Sequence, residues 1–522
     1  MGWWSAYFFA KLLLFAGGYI NFDVWWNLLF AVFTALPARN DRQKFTKDII
    51  ASVLSVVLLY HDSWLPPLGR VLSQAGALSD FTLPYLMELL GRFFNLKVVL
   101  QLIIMLAIYA LLKRKLRMAT FVFIGIFAVM LGPLFAQRVQ AIGRSDTNAM
   151  VTSRATSTDV QPDIRTLSAG ALNQQLKDFY AQEQHRQVRF SHVTADGAPY
   201  DIIILHVCSL SWDDLDDAGK RNDPLLQRFN VTFTHFNSAA SYSGPAAIRL
   251  LRGNCGQTEH KSLYDTASPD CFVLNGLQAA GFVPQWLMNH DGHFGNFFAD
   301  VRDRGGMPVR PEDNSGAGVE QRSFDGTPIY DDYSVLSRWW QKRQQNPAEH
   351  VVLYYNTISL HDGNKLESNG SSDYAQRFDL FARDLNHFMD DVQRSGRRVI
   401  VIVIPEHGAA LRGDRRQIQG LREIPTAAIT HVPVGVTLIN ASVQSPINVD
   451  VPISYLAVNE VLSRLIADNP FAKPSVVLDS YVSSLPQTES IAENEGTVVL
   501  SQGQQAMMRT PDGAWSAWDS RM

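Results

Sequence analysis

The sequence predicts an α-helical transmembrane bundle followed by an α/β domain, and three observations carry that expectation. Apolar runs dominate residues 3–136, a polar stretch follows, and beyond about 195 apolar strands alternate with loops and helices. A mean hydropathy near zero over the 522 residues conceals this division.

The five apolar runs are WWSAYFFAKLLLFAGGYI, VWWNLLFAVFTAL, IIASVLSVVLLY, VVLQLIIMLAIYALL and ATFVFIGIFAVMLGPLFA. A span needs about 20 mostly apolar residues, so the shorter runs need interfacial flanks to complete them. Arg39, Arg42, Lys44 and Lys47 follow the second run, and Lys113, Arg114, Lys115 and Arg117 precede the fifth. Basic loops stay in the cytoplasm, which puts the N-terminus inside and everything after 137 outside. The first run lacks a small-residue cleavage site and reads as a retained anchor. Between the third and fourth runs, LPYLMELLGRFF has the period of an amphipathic helix at the outer interface or packed on the bundle.

Residues 1–136 are therefore expected to form the transmembrane domain, 137–194 a linker and 195–522 the external α/β domain. The linker assignment follows from Ser, Thr, Gln and Asp enrichment, interrupted by one helical segment, LNQQLKDFYAQEQ. In the external domain, strands are predicted at 201–207, 350–356, 398–404 and 432–439. Their continuous β-branched runs suit a largely parallel sheet buried on both faces. A helix is predicted over 375–394, with Phe378, Phe381, Leu385, Phe388, Met389 and Val392 on one face and Gly396 as its stop. After about 484, TPDG separates TVVLSQGQQAMM from AWSAW as a closing hairpin, and Trp515 and Trp518 serve either packing or glycan contact.

Ligand sites in open α/β sheets form at the carboxyl ends of strands. Cys208, His361, Glu406 and His407 stand at such ends. Zinc takes thiolate, imidazole and carboxylate ligands, and a catalytic zinc keeps a further position for another oxygen. Cys208, Glu406 and His407 supply three such ligands and leave the fourth position for a serine in SYSGPAAIRLL, at 241–251. That segment lacks the flanking glycines of a hydrolase elbow and has no histidine beside it, so a metal, one of the ways to activate a weak hydroxyl, fits better than a triad. Ser243 is favoured over Ser241 because it opens the helix, where backbone N–H groups meet an incoming phosphate. Of the three cysteines, Cys255 and Cys271 are close enough to bridge in an oxidising compartment, worth about 3 kcal/mol, which leaves Cys208 free to ligate. A net charge of −4 gives no basic footprint for nucleic acid.

The segments IILHVCSLSWDDL, NSAASYSGPAAIRLLRGNCGQ, YDDYSVLSRW, YNTISLHDGN and VIPEHGAALRGDRRQIQGLREIP closely resemble the cellulose phosphoethanolamine transferases of bacterial cellulose secretion. The resemblance covers both the apolar region and the outer domain. It implies an alkaline phosphatase-like α/β sandwich, with Ser243 as nucleophile and zinc held by Cys208, Ser243, Glu406 and His407. Tyr242, His361 and Arg422 are implied at the substrate site, with His361 also a candidate proton carrier. Relatives acting on lipid A carry an acidic residue in place of Cys208, a threonine nucleophile and Asp-His in place of Glu-His, and the cellulose branch shares the present pattern.

The function implied is transfer of phosphoethanolamine from phosphatidylethanolamine to glucosyl hydroxyls of cellulose, through a phosphoserine-type intermediate. The place implied is the bacterial inner membrane, with the catalytic domain in the periplasm and the cellulose synthase complex as partner. Its rivals are a phosphatase, sulfatase or phosphoglycerol transferase of the same fold, a membrane serine hydrolase, and a silent scaffold of the secretion complex.

Overall fold

The computed structural model describes residues 2–17, 19–63, 81–93, 96–113, 115–131, 163–194, 197–414 and 416–518. Residues 137–162 of the predicted linker and the end of the fifth apolar run lie outside them. Two compact units result, the first built mainly from residues 1–76 and 86–161, the second from 77–85, 162–413 and 419–522.

In the first unit each apolar run carries a helix: Trp4–Ala16, Val24–Ala35, Asp41–Asp62, Leu96–Leu112 and residues 118–131. Gly17 stops the first, and Asn40 caps the third through its side chain. Among the described residues no helix is long and apolar enough to cross a membrane. The unit has an apolar core, in which Phe8, Phe30, Val122 and Ile126 are buried, yet it also buries polar side chains and exposes apolar ones. Lys11, Asn27 and Asp62 are fully buried, while Val56 and Leu111 are 69% and 74% exposed. Lys11 Nζ donates to Asp62 Oδ2 at 2.6 Å and to Asn27 Oδ1 at 2.8 Å, and Asn27 Nδ2 donates to Asp62 Oδ2 at 2.6 Å. The sequence reading did not single out these three residues, because each is a lone polar side chain within or beside an apolar run. Truncating one partner leaves a buried charge unpaired. Lys11→Met is therefore expected to cost about 3–5 kcal/mol of stability, measured by thermal unfolding in detergent, and far less when Asn27 and Asp62 are made apolar with it.

The second unit is organised around a seven-stranded sheet. Its strands, with those of two smaller sheets, are β1 (Tyr200–Cys208), β2 (Val231–Asn237), β3 (Val283–Met288), β4 (Val319–Arg322), β5 (Pro328–Tyr330), β6 (Val351–Thr357) and β7 (Lys365–Leu366), then β8 (Arg398–His407), β9 (His431–Ile439), β10 (Ile447–Val449), β11 (Ser490–Asn494), β12 (Thr497–Gln502), β13 (Gln505–Arg509) and β14 (Trp515–Trp518). The large sheet has the order β10-β2-β9-β8-β1-β6-β3. All four predicted strands are present within about a residue at each start. The sheet is parallel except for β9, which runs antiparallel to both β8 and β2. A strand buried on both faces reads the same in either direction, so its apolar run did not disclose the reversal.

Alternate residues feed two cores. Ile202 and Ile204 join one cluster, and Ile203, Leu205 and Val207 join the other. The second cluster receives the helix Tyr374–Arg394, whose six predicted apolar residues are all buried. Thus β1 lies in the middle of the domain with a core on each face.

The helix Ala169–Glu183, capped by Ser168, presents Leu172, Leu176, Phe179 and Tyr180 to the antiparallel sheet β11-β12-β13-β14. The second unit consequently begins at 162, upstream of the expected boundary at 194, because this helix hides an apolar stripe within polar composition. The run TVVLSQGQQAMM is itself a hairpin, β12–β13, in addition to the predicted one at TPDG. Trp515 Nε1 donates to Asn173 Oδ1 at 3.0 Å and Trp518 is buried, so both rings pack within the fold. Cys255 and Cys271 form a disulfide, and Cys208 is a free, buried thiol.

Candidate active site

Cys208 closes β1, and Glu406 and His407 close β8. The two strands pair in register through Val207 and Pro405, after which Cys208 pairs with His407 across a β-bulge. Consecutive residues of a regular strand face opposite sides of the sheet. The bulge breaks that alternation and lets Glu406 and His407 turn to the same place. Cys208, Glu406 and His407 bring one potential ligand atom each to within 4.8 Å of one another.

Ser243 arrives from β2 through residues 238–242 and opens the helix Ser243–Leu251. Its Oγ is 3.3 Å from Cys208 Sγ and 3.4 Å from His407 Nε2. Pro245 sits in the first turn, where its missing N–H costs no helical bond. The loops after β1 and β8 are tied together by Asp214, whose Oδ2 accepts from Ser211 N at 3.0 Å and from Ala409 N at 2.7 Å.

The polar contacts orient each group. Asn356 Nδ2 donates to Glu406 Oε1 at 2.7 Å, whereas Glu406 Oε2 is buried with no hydrogen-bond partner and lies 3.7 Å from His407 Nε2. His407 Nδ1 lies 2.9 Å from the Gly408 carbonyl oxygen. A proton on Nδ1 satisfies that carbonyl and turns the Nε2 lone pair toward Ser243 and Cys208. Burial pushes the Cys208 thiol and the Glu406 carboxyl up and holds His407 well below the usual imidazole range. A divalent cation reverses the first two preferences by favouring thiolate and carboxylate, and like burial it favours the neutral imidazole. The thiol, carboxylate, imidazole and hydroxyl, with an orphaned buried carboxylate oxygen among them, fit zinc.

The structure brings Arg422, Tyr242 and His361 to the same edge of the sheet. Arg422 Nη1 donates to Ser209 Oγ at 3.2 Å, its Nε is buried without a partner, and its guanidinium lies 5.4 Å from the Tyr242 ring centroid. Tyr242 in turn donates to Glu423 Oε1 at 2.6 Å. His361 follows β6, with Nδ1 2.6 Å from the Asp362 carbonyl oxygen. Burial, then the charge of Arg422, hold its imidazole down to about 4. It makes no hydrogen bond to Ser243. Residues 81–85 belong to this unit too, with Phe81 and Tyr85 packed on Phe324, whose ring centroid is 5.5 Å from that of His361. A Cβ on Gly363, which has φ +84°, would come within 2.6 Å of Tyr85.

Sequence reading missed Asn356, Ser209 and His290. Asn356 spans from Glu406 to His290, accepting at 2.7 Å from His290 Nε2. The signal was available, since Asn356 is a polar residue at the carboxyl end of an otherwise apolar strand. Asn356→Leu should weaken zinc affinity by about 10–100-fold in a chelator competition, with the fold checked by circular dichroism, because Glu406 then loses its orienting donor.

Residues 156–515 match the family model of the cellulose biosynthesis protein BcsG C-terminal domain, and residues 4–131 match that of its N-terminal domain. The chain belongs to the BcsG family. The cellulose biosynthesis protein BcsG of Salmonella typhimurium is 36% identical over 537 residues, covering 98% of this chain and 95% of that protein. BcsG of Escherichia coli K12 is 35% identical with the same coverage. Similar solved structures include an alkaline phosphatase superfamily protein from Vibrio parahaemolyticus, at 15% identity and TM-score 0.47 over 66% of this chain and 88% of that one. The zinc complex of the C-terminal periplasmic domain of EcEptC from Escherichia coli has 13% identity and TM-score 0.42 over 59% and 94%. The integral membrane lipooligosaccharide phosphoethanolamine transferase A from Neisseria meningitidis has 15% identity and TM-score 0.38 over 91% and 94%.

Proposed function

We propose that this BcsG-family chain transfers phosphoethanolamine from phosphatidylethanolamine to the glucosyl hydroxyls of nascent cellulose, O6 foremost, through a phosphoethanolamine–Ser243 intermediate. The observation that carries this reading is the convergence of Ser243 Oγ with Cys208, Glu406 and His407 at a helix N-terminus. Cys208, Ser243, Glu406 and His407 would hold zinc, which supplies Lewis acidity that favours the serine alkoxide at neutral pH.

In the first half-reaction a bond forms from Ser243 Oγ to phosphorus, and the bond from phosphorus to the diacylglycerol oxygen breaks. The serine proton leaves with that oxygen as diacylglycerol. In the second, the sugar oxygen bonds to phosphorus, the Oγ–phosphorus bond breaks, and the sugar proton returns to Ser243. His361, neutral above about pH 4, is the group we assign to carry these protons, through a water or the substrate since it makes no hydrogen bond to Ser243. Arg422 has a buried Nε free to meet a phosphoryl oxygen, and Tyr242 lines the same approach.

The first unit is read as a membrane domain of about five helices over residues 1–136, with the catalytic domain in the periplasm. The exposed apolar faces and buried Lys11–Asp62 pair support that reading, since ionisable groups within a bilayer turn inward and pair. A membrane seat places the enzyme where its lipid donor lies and where the polymer leaves the cellulose synthase complex.

Intact mass tests the proposal. Incubation with phosphatidylethanolamine vesicles should add one phosphoethanolamine group, mapped by peptide sequencing to Ser243, and added cello-oligosaccharide should discharge it onto sugar. A silent scaffold accumulates no adduct, and a phosphatase of the same fold discharges it to water whether or not sugar is present.

A further inference from the structure

Gly244, the residue after the nucleophile, is covered by a carboxylate. A Cβ built on Gly244 would lie 2.5 Å from Asp300 Oδ2 and 3.6 Å from its Cγ, with no other atom near it. The missing side chain is thus what admits Asp300 to within one residue of Ser243. Asp300 begins the turn Asp300–Arg304, which follows the short helix Phe297–Ala299.

The ordinary use of an acid at a helix start is to accept hydrogen bonds from first-turn N–H groups. Asp300 does not do this. Among the described residues its half-buried carboxylate has neither a hydrogen bond nor an ion-pair partner, and the charged neighbours acting on it are Arg304 and Asp303 of its own turn. Burial is the main influence on this acid, raising it to about 6, so it is charged at neutral pH. An anion whose one acting cation is Arg304 of its own turn, with no hydrogen bond to it, therefore stands beside the serine, on a site where the buried Nε of Arg422 suits a phosphoryl oxygen.

The group to be transferred has the complementary shape. It carries phosphate at one end and an ammonium two carbons away, and an ammonium gains most from a charged acceptor with no competing partner. Resting on the reading of Ser243 as the nucleophile, we propose that Asp300 binds the ammonium of the phosphoethanolamine group, both in the lipid donor and on the serine. Asp300 so selects an aminoethyl head group over uncharged or anionic ones, which leave its carboxylate desolvated and unpaired.

The test compares two soluble substrates on the full zinc-loaded chain, p-nitrophenyl phosphoethanolamine and p-nitrophenyl propyl phosphate, which replaces the ammonium by a methyl group. Wild type should prefer the ammonium substrate by at least about tenfold in kcat/KM, carried mainly by KM. In Asp300→Asn that ratio should fall toward one, and Asp300→Glu should recover part of it. A ratio unchanged in Asp300→Asn, or absent in wild type, overturns the inference while leaving Ser243-dependent turnover intact. Turnover undiminished in Ser243→Ala overturns the serine reading, and this inference with it.

Discussion

Ser243→Ala is expected to abolish the phosphoethanolamine adduct and to lower transfer by at least about a thousandfold, as loss of a covalent nucleophile does elsewhere. The physical reason is local. Among the described residues no histidine with an acid behind it stands at hydrogen-bond distance to act as a conventional base, since His407 Nε2, 3.4 Å from Oγ, belongs to the proposed ligand set. A water admitted in place of the hydroxyl would still face Arg422 and the helix N-terminus, so slow hydrolysis of an activated ester is the expected residue of activity. Transfer to sugar followed by mass spectrometry separates the two, because only the transfer requires the covalent intermediate. A variant that retains both the adduct and transfer would sink the assignment.

Cys208→Ser should give the second large effect, on metal rather than on chemistry alone. Without metal the thiol is pushed up by burial and by Glu406, so it is protonated at neutral pH, and Glu406 is pushed in the same direction. Zinc binding must therefore expel at least one proton, and affinity should rise with pH. A serine hydroxyl in this position keeps its proton far more tightly than a thiol. We expect at least about a hundredfold weaker zinc binding in Cys208→Ser and a smaller proton release, with parallel loss of transfer. Titration calorimetry in buffers of different ionisation enthalpy reads the protons directly. Equal proton release by wild type and variant would show that Cys208 is not a ligand.

Much of the site was legible because its members sit where strands end. Cys208 and the Glu406–His407 pair each follow a continuous apolar run, and the helix from Tyr374 announced itself by its six apolar residues. The features that escaped reading are relations between segments. Nothing in the β8 run signals that a bulge turns two consecutive residues to one side, and the β9 reversal leaves no mark on composition. Asp300 lies in the polar segment DVRDR, where its neighbours resemble any solvated turn. Its interest arises only from what it covers. Likewise the helix Ala169–Glu183 has four apolar residues that matter only once β11 to β14 are there to receive them.

The register of β1 with β8 bears on the order of events in the cell. Cys208 and Ser243 are 35 positions apart, but His407 comes 199 positions after Cys208. A chain synthesised amino end first holds its thiol and serine long before its glutamate and imidazole, and they meet only when β8 has docked against β1. If these residues hold an ion as proposed, its capture would follow the docking of β8, and a chain halted before residue 398 would carry Ser243 without its activator.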